Sequence, residues 1–276
     1  MNVATDPRGL IAGAGLTGRP LKSRWPARLD FAQSATGLVL GLFMWGHMFF
    51  VSSILVSADF MWTITRMFEG YFLFGTPYPG IVSVIVAIVL SLVIGHAALA
   101  MRKFPISWRQ LSQFAGHRRL LQHEDTTLWW VQAVTGFMLF FMAAVHLYQM
   151  LMHPGAIGPY ESGARMWHGW WPLYLVMLFA VELHGGIGLY RLAVKWGWFF
   201  RDGTPAEVAR RRLRIAKWTL TAFFLVLGLA TLAAYMKIGY AQRMNPNPVY
   251  TPAWLQNPPT APAPAWWPAW LKPAQH

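Results

Sequence analysis

The chain has 276 residues, of which 55% are hydrophobic, 16% aromatic and only 12% charged, a composition that excludes an ordinary soluble protein and is typical of an integral membrane protein. Because the chain has no cysteine, it cannot form disulfides, ligate iron–sulfur clusters through thiolates or attach c-type haem, so any iron must be bound by histidine or methionine. The net charge of +13 would favour nucleic acid in a soluble domain, but in a membrane chain it serves orientation, and we expect no nucleic-acid partner.

Residues 1–30 are predicted to form a cytoplasmic leader. They lack the compact basic region, apolar stretch and cleavage site of a signal peptide, so we expect them to remain in the mature chain. Gly13, Gly15 and Gly18 spell GxGxxG, but no strand precedes them and Pro20 follows where a helix should begin. The motif therefore does not indicate a dinucleotide fold.

Five apolar stretches are long enough to cross a bilayer, and they predict an all-α membrane protein with a transmembrane domain over residues 31–238. The stretches are 31–56, 80–101, 127–151, 171–190 and 218–235. An odd number of spans places the two ends of the chain on opposite sides of the membrane. Residues 239–276 become rich in Pro and Trp, which predicts an extended tail at the outer interface.

The basic residues predict the orientation of the spans. Of the 23 Lys and Arg residues, 18 lie before the first span, between the second and third, or between the fourth and fifth. Since cytoplasmic loops carry the excess of Lys and Arg, the N-terminus should be cytoplasmic and the C-terminus outside. The segment 206–217 is either a basic helix that meets anionic lipid or an acidic partner, or an orientation signal alone. Its basic residues include Arg210, Arg211, Arg212 and Arg214.

Each of the first four spans contains one histidine: His47, His96, His146 and His184. An imidazole in hydrocarbon is costly without a partner, and four helices can pair their histidines across a bundle interior. The first and third spans run outward, and His47 and His146 lie in the second half of each. The second and fourth run inward and carry His96 and His184 past their midpoints. Depth therefore pairs His47 with His146 in the outer half and His96 with His184 in the inner half.

The two pairs predict bis-histidine ligation of two b-type haems. From the rise of an α-helix, the two irons should lie about 16 Å apart along the membrane normal, so stacked haems would carry electrons across the bilayer. Structural or proton-relay histidines are the alternative. The other histidines named here lack depth-matched partners and are interpreted as surface or interfacial residues: His117, His123, His153 and His168.

An internal repeat with a constant offset of 99 residues supports this interpretation. Its members are Gln33, Thr36, Gly37 and His47 in the first span and Gln132, Thr135, Gly136 and His146 in the third. Both outward-running helices therefore share QxxTG followed ten residues later by His. Glycines beside the predicted ligands leave room for a flat cofactor or serve helix packing. They are Gly46, Gly95, Gly185 and Gly186.

Four histidines on the first four of five spans, separated by 49, 50 and 38 residues, resemble those of the dihaem cytochrome b subunits of quinol:fumarate reductases and related succinate dehydrogenases. The resemblance covers about residues 20–240. It implies a five-helix bundle that encloses two stacked b-type haems in a bacterial cytoplasmic membrane. It also implies two cytoplasmic partners, a flavoprotein that interconverts fumarate and succinate and an iron–sulfur protein, with a membrane quinone as the other electron carrier. The direction of electron flow stays open.

The resemblance further implies which residues meet the haem propionates. The inner haem would be bound by polar groups near the cytoplasmic helix ends, namely Gln33, Ser34, Trp129 and Lys195. Arg165 would serve the outer haem. Ser34 precedes His47 by 13 residues on nearly the same helix face, which is compatible with this role. Without the resemblance, Lys195 would be an ordinary positive-inside residue.

Glu69 is a candidate proton acceptor outside, between the first two spans, where Phe68, Tyr71 and Phe72 surround it in the sequence. A quinol that gives two electrons to the outer haem must also lose two protons, and a carboxylate beside an aromatic pocket can accept them. Otherwise Glu69 is a solvated loop residue. In the family that the chain resembles, the quinol-oxidising Glu occupies this position.

Glu182 lies inside the fourth span, where an ionised carboxylate is costly. It precedes His184 by two residues, a step of about 200° that turns it away from that haem. It either makes a structural hydrogen bond or transfers protons across the membrane. In menaquinol-using members of the family, a Glu at this position is thought to do the latter. Glu69 and Glu182 together favour menaquinone.

Two other functions stay open. A dihaem cytochrome b could anchor a formate dehydrogenase or a hydrogenase instead, although the helix count and histidine spacing fit those less well. Alternatively, the intramembrane His and Glu residues could form the proton relay of a transporter.

Overall fold

The computed structural model describes residues 24–104, 124–200, 204–245 and 248–256, and the isolated positions 107, 109, 112, 113 and 116. Within these ranges the regular structure is helical. In chain order the helices are α1 (Trp25–Val51), α2 (Ala58–Phe68), α3 (Tyr71–Phe74), α4 (Pro79–Met101), α5 (Glu124–Met152), α6 (Pro159–Arg165), α7 (Trp171–Lys195), α8 (Ala206–Ala241) and α9 (Ala253–Gln256). The GxGxxG segment, His117 and His123 lie outside the described residues.

Five of these helices, α1, α4, α5, α7 and α8, are long and apolar enough to cross a membrane. The prediction of an all-α, multi-pass membrane protein is therefore confirmed. Large apolar side chains on the lateral surface remain exposed, such as Phe141 at 67% and Val226 at 68%. An apolar surface of this kind is compatible with lipid and would be a liability in water.

The long helices extend beyond the apolar stretches that predict them. Helix α1 begins at Trp25 with Pro26 in its first turn, where the missing backbone N–H has no intrahelical partner to lose. Helix α8 begins at Ala206, so the basic segment 206–217 is a continuous part of the fifth span's helix rather than a loop. A helix continuous with a span projects from the membrane instead of lying along it, which argues against the interfacial-helix interpretation.

The first four long helices form a closed ring, in which α1 packs on α4, α4 on α5, α5 on α7 and α7 on α1. Helix α8 packs outside this ring against α7. One cluster of buried apolar side chains joins α4 to α5 and consists of Val86, Val89, Leu147 and Met150. Another joins α5 to α7 through Leu128, Ile187 and Tyr190. The ring leaves α1 diagonally opposite α5, and α4 diagonally opposite α7.

The short helices α2, α3 and α6 gather at one end of the bundle, which the charge distribution predicts to be the outer end. A buried cluster there joins the turn after α1 (Ile54), α2 (Met61), the segment between α6 and α7 (Met166) and α8 (Tyr235). The chain turns between α6 and α7 at Gly169, whose φ of +108° favours glycine. Residues 248–256 fold back onto this end and bury Pro252 completely.

Candidate haem pockets and proton-transfer groups

The four histidines of the spans lie in two pairs across the helix ring. His47 of α1 faces His146 of α5 with ring centroids 6.2 Å apart, and His96 of α4 faces His184 of α7 at 6.5 Å. Each pair joins diagonally opposite helices. Two imidazoles on opposite sides of one metal ion, with metal–nitrogen bonds of about 2 Å, have centroids about 6 Å apart. The donor set and spacing of each pair therefore fit one bis-histidine haem.

The imidazole of His96 lies directly against α1. Its Nδ1 is 3.1 Å from Thr36 Oγ1 and also interacts with the backbone carbonyl of Gln33. A Cβ atom placed on Gly37 would lie 2.9 Å from His96 Cε1. The glycine therefore lets the ring approach the helix backbone, and the polar contacts at Nδ1 leave Nε2 for a metal.

His184 repeats this arrangement against α5. Its Nδ1 donates a hydrogen bond of 2.8 Å to the backbone oxygen of Gln132. A Cβ atom on Gly136 would lie 2.9 Å from His184 Cε1. Since a carbonyl oxygen can only accept, the proton of the neutral ring is on Nδ1, and Nε2 carries the lone pair that a metal ligand needs.

The sequence repeat thus has a different use from the one its spacing indicates. The repeat predicts that QxxTG belongs with the outer histidines, because His47 and His146 end the repeated pattern. In the structure, each QxxTG contacts the inner histidine of a neighbouring long helix, and only the terminal His belongs to the outer pair. The two halves, α1 with α4 and α5 with α7, therefore use the same local packing.

The outer pair is supported by side chains. His146 Nδ1 lies 3.0 Å from the hydroxyl of Tyr174, and His47 stacks on Phe43. Arg165 interacts with Tyr174 and donates a hydrogen bond to the carbonyl oxygen of Ala156. Tyr174 precedes His184 by ten residues on α7, which separates the two levels by about 15 Å along that helix. Sequence reasoning missed Tyr174, although its depth in the span matches that of His146.

Polar groups at the other end of the ring converge on Asp30 of α1. Lys103 and Lys195 both form ion pairs with its carboxylate, and Lys195 Nζ also donates to Ser34 Oγ at 2.9 Å. Of the predicted propionate ligands, Ser34 and Lys195 thus lie together. Sequence reasoning missed Asp30, whose partners come from the ends of two other helices.

Gln33 and Trp129 are the other two residues predicted for the inner haem. Gln33 Oε1 is buried without a hydrogen-bond partner among the described residues. The Trp129 ring packs against Phe104 with centroids 5.7 Å apart.

The glycines beside the predicted ligands divide into two groups. A Cβ atom on Gly46 or Gly95 would meet no atom within 4 Å among the described residues. A Cβ atom on Gly185 would lie 2.9 Å from Met44, and one on Gly186 would meet Thr221 Oγ1. The second group therefore serves helix packing. The remaining two described histidines, His153 and His168, are exposed.

Glu182 is fully buried on α7. The indole N–H of Trp45 on α1 faces it, and Trp45 in turn stacks on Phe224 of α8 at 5.4 Å. Neither carboxyl oxygen has a partner of good hydrogen-bond geometry in the described ranges. The carboxyl group therefore faces the indole of Trp45 on α1.

Glu69 ends α2 and is fully buried, so it is not a solvated loop residue. Its Oε2 accepts a hydrogen bond of 2.5 Å from Arg66 Nη1. Burial raises the pKa of Glu69, the positive charge of Arg66 opposes this, and the negative charge of Glu161 adds to it. The net result is a carboxyl group with a raised pKa, which suits a proton acceptor near neutral pH.

Aromatic side chains of this segment have different environments. Phe68 packs edge-on against Phe50 with centroids 4.9 Å apart. Phe72 is 38% exposed, and Tyr71 begins α3 directly after Gly70, whose φ is +82°. Sequence reasoning missed Arg66 as the partner of Glu69.

A ring of four membrane helices with histidines paired across it defines a membrane cytochrome of the b type. Residues 109–233 match the family described as succinate dehydrogenase/fumarate reductase transmembrane subunit. The chain is 54% identical over 244 residues to the fumarate reductase cytochrome b subunit of Wolinella succinogenes, covering 88% of this chain and 94% of the relative. It is 50% identical over 225 residues to the same subunit of Helicobacter pylori, covering 81% and 86%.

This chain therefore belongs to the family of fumarate reductase cytochrome b subunits. It is the membrane anchor of a fumarate reductase and thus part of an enzyme complex. The relatives give no support to a formate dehydrogenase or hydrogenase anchor, or to a transporter.

Proposed function

We propose that this subunit transfers electrons between a membrane quinol and the iron–sulfur and flavoprotein subunits of the complex. The observation that carries the proposal is the pair of histidine pairs, His47 with His146 and His96 with His184, at two levels of one helix ring. Quinol gives up two electrons and two protons at the outer end. Fumarate takes two electrons and two protons on the flavoprotein, and the reverse reactions use the same connections.

Two haem b groups, when bound, would supply one-electron transfer between the two ends of the bundle. The chain contributes ligands of defined tautomer, since Gln132 fixes the Nδ1 proton of His184. Lys195 and Ser34, together with Gln33 and Trp129, would bind the propionates of the inner haem. Arg165 would meet those of the outer haem. The cations stabilise carboxylates that would otherwise be costly at the membrane interface.

Glu69 acts as the proton acceptor for the quinol. Its Oε2 is occupied by Arg66, whereas Oε1 is buried without a partner among the described residues. A quinol hydroxyl can donate to that free oxygen as electrons leave the ring. The nearby aromatic residues Phe68, Tyr71 and Phe72 would line the pocket.

Glu182 transfers protons across the membrane as electrons move between the haems. This proposal rests on the complete burial of its carboxyl group, which faces the indole N–H of Trp45 and has no hydrogen bond of good geometry in the described ranges. Intramembrane ionisable residues without structural partners are characteristic of proton pathways. With Glu69 at the outer end, this arrangement favours menaquinol as the substrate.

The subunit resides in a bacterial cytoplasmic membrane, surrounded by lipid, with residues 1–30 on the cytoplasmic side and residues 239–276 outside. The iron–sulfur and flavoprotein subunits bind on the cytoplasmic side, next to the inner histidine pair and the basic start of α8. Residues 31–238 form the haem-binding domain. The dicarboxylate chemistry takes place on the flavoprotein.

The ligand assignment is tested by redox-titrated absorption spectroscopy of the purified complex. His96→Ala should lose one of two haem b transitions, because an inner haem with a single imidazole ligand binds weakly. His153→Ala is the matched control, since that histidine is exposed at the opposite end. Two unchanged transitions in His96→Ala would remove His96 from the ligand set.

A further inference from the structure

Residues 248–256 form a docked segment that joins α2 to α6 at the predicted outer end. The hydroxyl of Tyr250 donates a hydrogen bond of 2.6 Å to Asp59 on α2. Its backbone N–H donates to Glu161 on α6 at 3.4 Å, and its ring packs edge-on against Tyr160 at 4.9 Å. Burial and the adjacent Asp59 raise the pKa of Tyr250, so the hydroxyl remains a donor. One segment therefore fixes the separation of two helices.

The docked segment also reaches Glu69 through a chain of contacts. Trp254 packs edge-on against Trp62 of α2 with ring centroids 5.7 Å apart. The guanidinium of Arg66 lies 5.3 Å from the Trp62 ring and binds Glu69. Trp62, Arg66 and Glu69 follow one another at spacings of four and three residues, which aligns them on one helix face. The segment therefore buttresses the face of α2 that ends in Glu69.

Three buried polar atoms at this end have no hydrogen-bond partner among the described residues: Arg66 Nε, Glu69 Oε1 and Glu161 Oε2. One is a donor and two are acceptors. Buried polar atoms are normally paired, and unpaired ones in a cluster indicate a bound molecule or water. The contact with Arg66 thus leaves one oxygen of Glu69 available for a ligand with hydroxyl groups.

We infer that Arg66 and the docked segment are positioning elements of the quinol site. The segment fixes Trp62, Trp62 supports the guanidinium of Arg66, and Arg66 binds one oxygen of Glu69 so that the other faces the quinol. This inference rests on the proposed role of Glu69 as proton acceptor. It adds residues 248–256 to the elements that position the site.

The charged groups that act on Glu69 in the described structure have opposite signs. Arg66, on the same helix, favours the carboxylate, and Glu161, on α6, disfavours it. Only the carboxylate accepts a proton, so quinol oxidation should rise with pH through the pKa of Glu69. Removing Arg66 raises that pKa, and neutralising Glu161 lowers it.

Matched charge variants of the intact complex test the inference through the pH profile of oxidation of a water-soluble naphthoquinol. Arg66→Gln should move the rising limb up by about one pH unit, and Arg66→Lys should move it back toward the parent. Glu161→Gln keeps the acceptor for Tyr250 but should move the limb down. Shifts of the same sign, or unshifted profiles, would overturn the electrostatic part of the inference.

Truncation tests the docked segment. A chain ending at Gln256 keeps every contact of residues 248–256 and should retain parental kcat and pH profile. A chain ending at Asn247 should keep both haem transitions, lose about tenfold in kcat and shift its profile in the same direction as Arg66→Gln. Trp254→Ala, which leaves the backbone contacts of Tyr250 in place, should show a smaller shift of that sign and provides the test if the shorter chain does not assemble.

The Glu69→Gln variant distinguishes a failure of the proposed role of Glu69 from a failure of the positioning inference. If Glu69→Gln oxidises quinol normally, the proposed function of that residue fails. If Glu69→Gln is inactive while the chain ending at Asn247, Trp254→Ala and Arg66→Gln all keep parental kcat and pH profiles, only the positioning inference fails.

Discussion

His184 donates a hydrogen bond of 2.8 Å from Nδ1 to the backbone oxygen of Gln132 on the helix beside it. A backbone acceptor cannot be removed by changing a side chain, so the orientation of this ligand is built into the packing of α5 against α7. His96 has the same relationship to α1 through Gln33 and Thr36. The inner pair thus contacts helix backbones, with Thr36 adding a side-chain contact to His96, whereas the outer pair is held by the side chains of Tyr174 and Phe43.

Gly37→Ala should remove or strongly perturb the inner haem, because the added Cβ would lie 2.9 Å from His96 Cε1. The ring would have to shift, and a displacement of a few tenths of an ångström disturbs metal ligation. Gly80→Ala on α4 is the control, since its Cβ would meet no described atom within 4 Å. The measurement is haem content per polypeptide from pyridine haemochrome spectra. Equal haem content in both variants would contradict the requirement for a glycine at position 37.

Thr36→Val should raise the midpoint potential of the inner haem by some tens of millivolts, because loss of an acceptor at Nδ1 makes His96 a poorer electron donor to iron. Thr135→Val provides the comparison. Thr135 occupies the equivalent place in the repeat, and both hydroxyls bond carbonyl oxygens of their own helix, but among the described contacts only that of Thr36 also meets a histidine. Potentiometric titration should therefore show a shift only in Thr36→Val.

Tyr174→Phe should raise the potential of the outer haem and leave the inner one unchanged. The variant removes the hydroxyl that lies 3.0 Å from His146 Nδ1 while keeping the ring that packs against it. The effect is local because His184 lies ten residues further along α7. A shift of the inner transition alone would show that the two haems have been assigned to the wrong levels.

Glu69→Gln should keep both haem transitions and reduce quinol oxidation by about two orders of magnitude or more, the usual contribution of a positioned general base. Reduction of fumarate by an artificial dye that bypasses the quinol should be unaffected. Glu207→Gln, an exposed glutamate at the start of α8, makes the same chemical change without effect. Normal quinol turnover in Glu69→Gln would remove this residue from the mechanism.

Glu182→Gln should keep both haems and slow quinol oxidation by fumarate in sealed vesicles more than it slows electron transfer through detergent-solubilised complex. The amide cannot release a proton, so charge carried by the electrons is no longer compensated across the membrane. Measurements with and without a protonophore separate the two contributions. Equal rates for parent and variant in sealed vesicles would leave Glu182 without a role in proton transfer.

The spans and the two levels of histidines could be predicted from the sequence because each depends on one helix at a time. Apolar length marks a span, and position along the span gives depth. The partners of Asp30 and Tyr174 could not be predicted this way, since they depend on which helices are neighbours. Arg66 and Glu69 stand three residues apart, a spacing from which their pairing could have been predicted. The QxxTG repeat is visible in the sequence, but each copy contacts a histidine of a different helix.

The tail was the least predictable part. A composition rich in Pro and Trp shows no helical or strand periodicity, and its main contact joins Tyr250 to Asp59 across 191 positions of the chain. Only the folded structure shows that Pro252 is fully buried. The basic start of α8 was partly predictable as a helix. Its continuity with the span was not predictable, because the apolar stretch of the sequence ends where the charged residues begin.

The diagonal arrangement of the histidines has a consequence for biogenesis. Each pair takes its members from helices that alternate along the chain, the first with the third and the second with the fourth. Neither the first hairpin nor the second alone contains a complete pair of proposed haem ligands. As the polypeptide enters the bilayer, the outer pair becomes complete with the third helix and the inner pair only with the fourth.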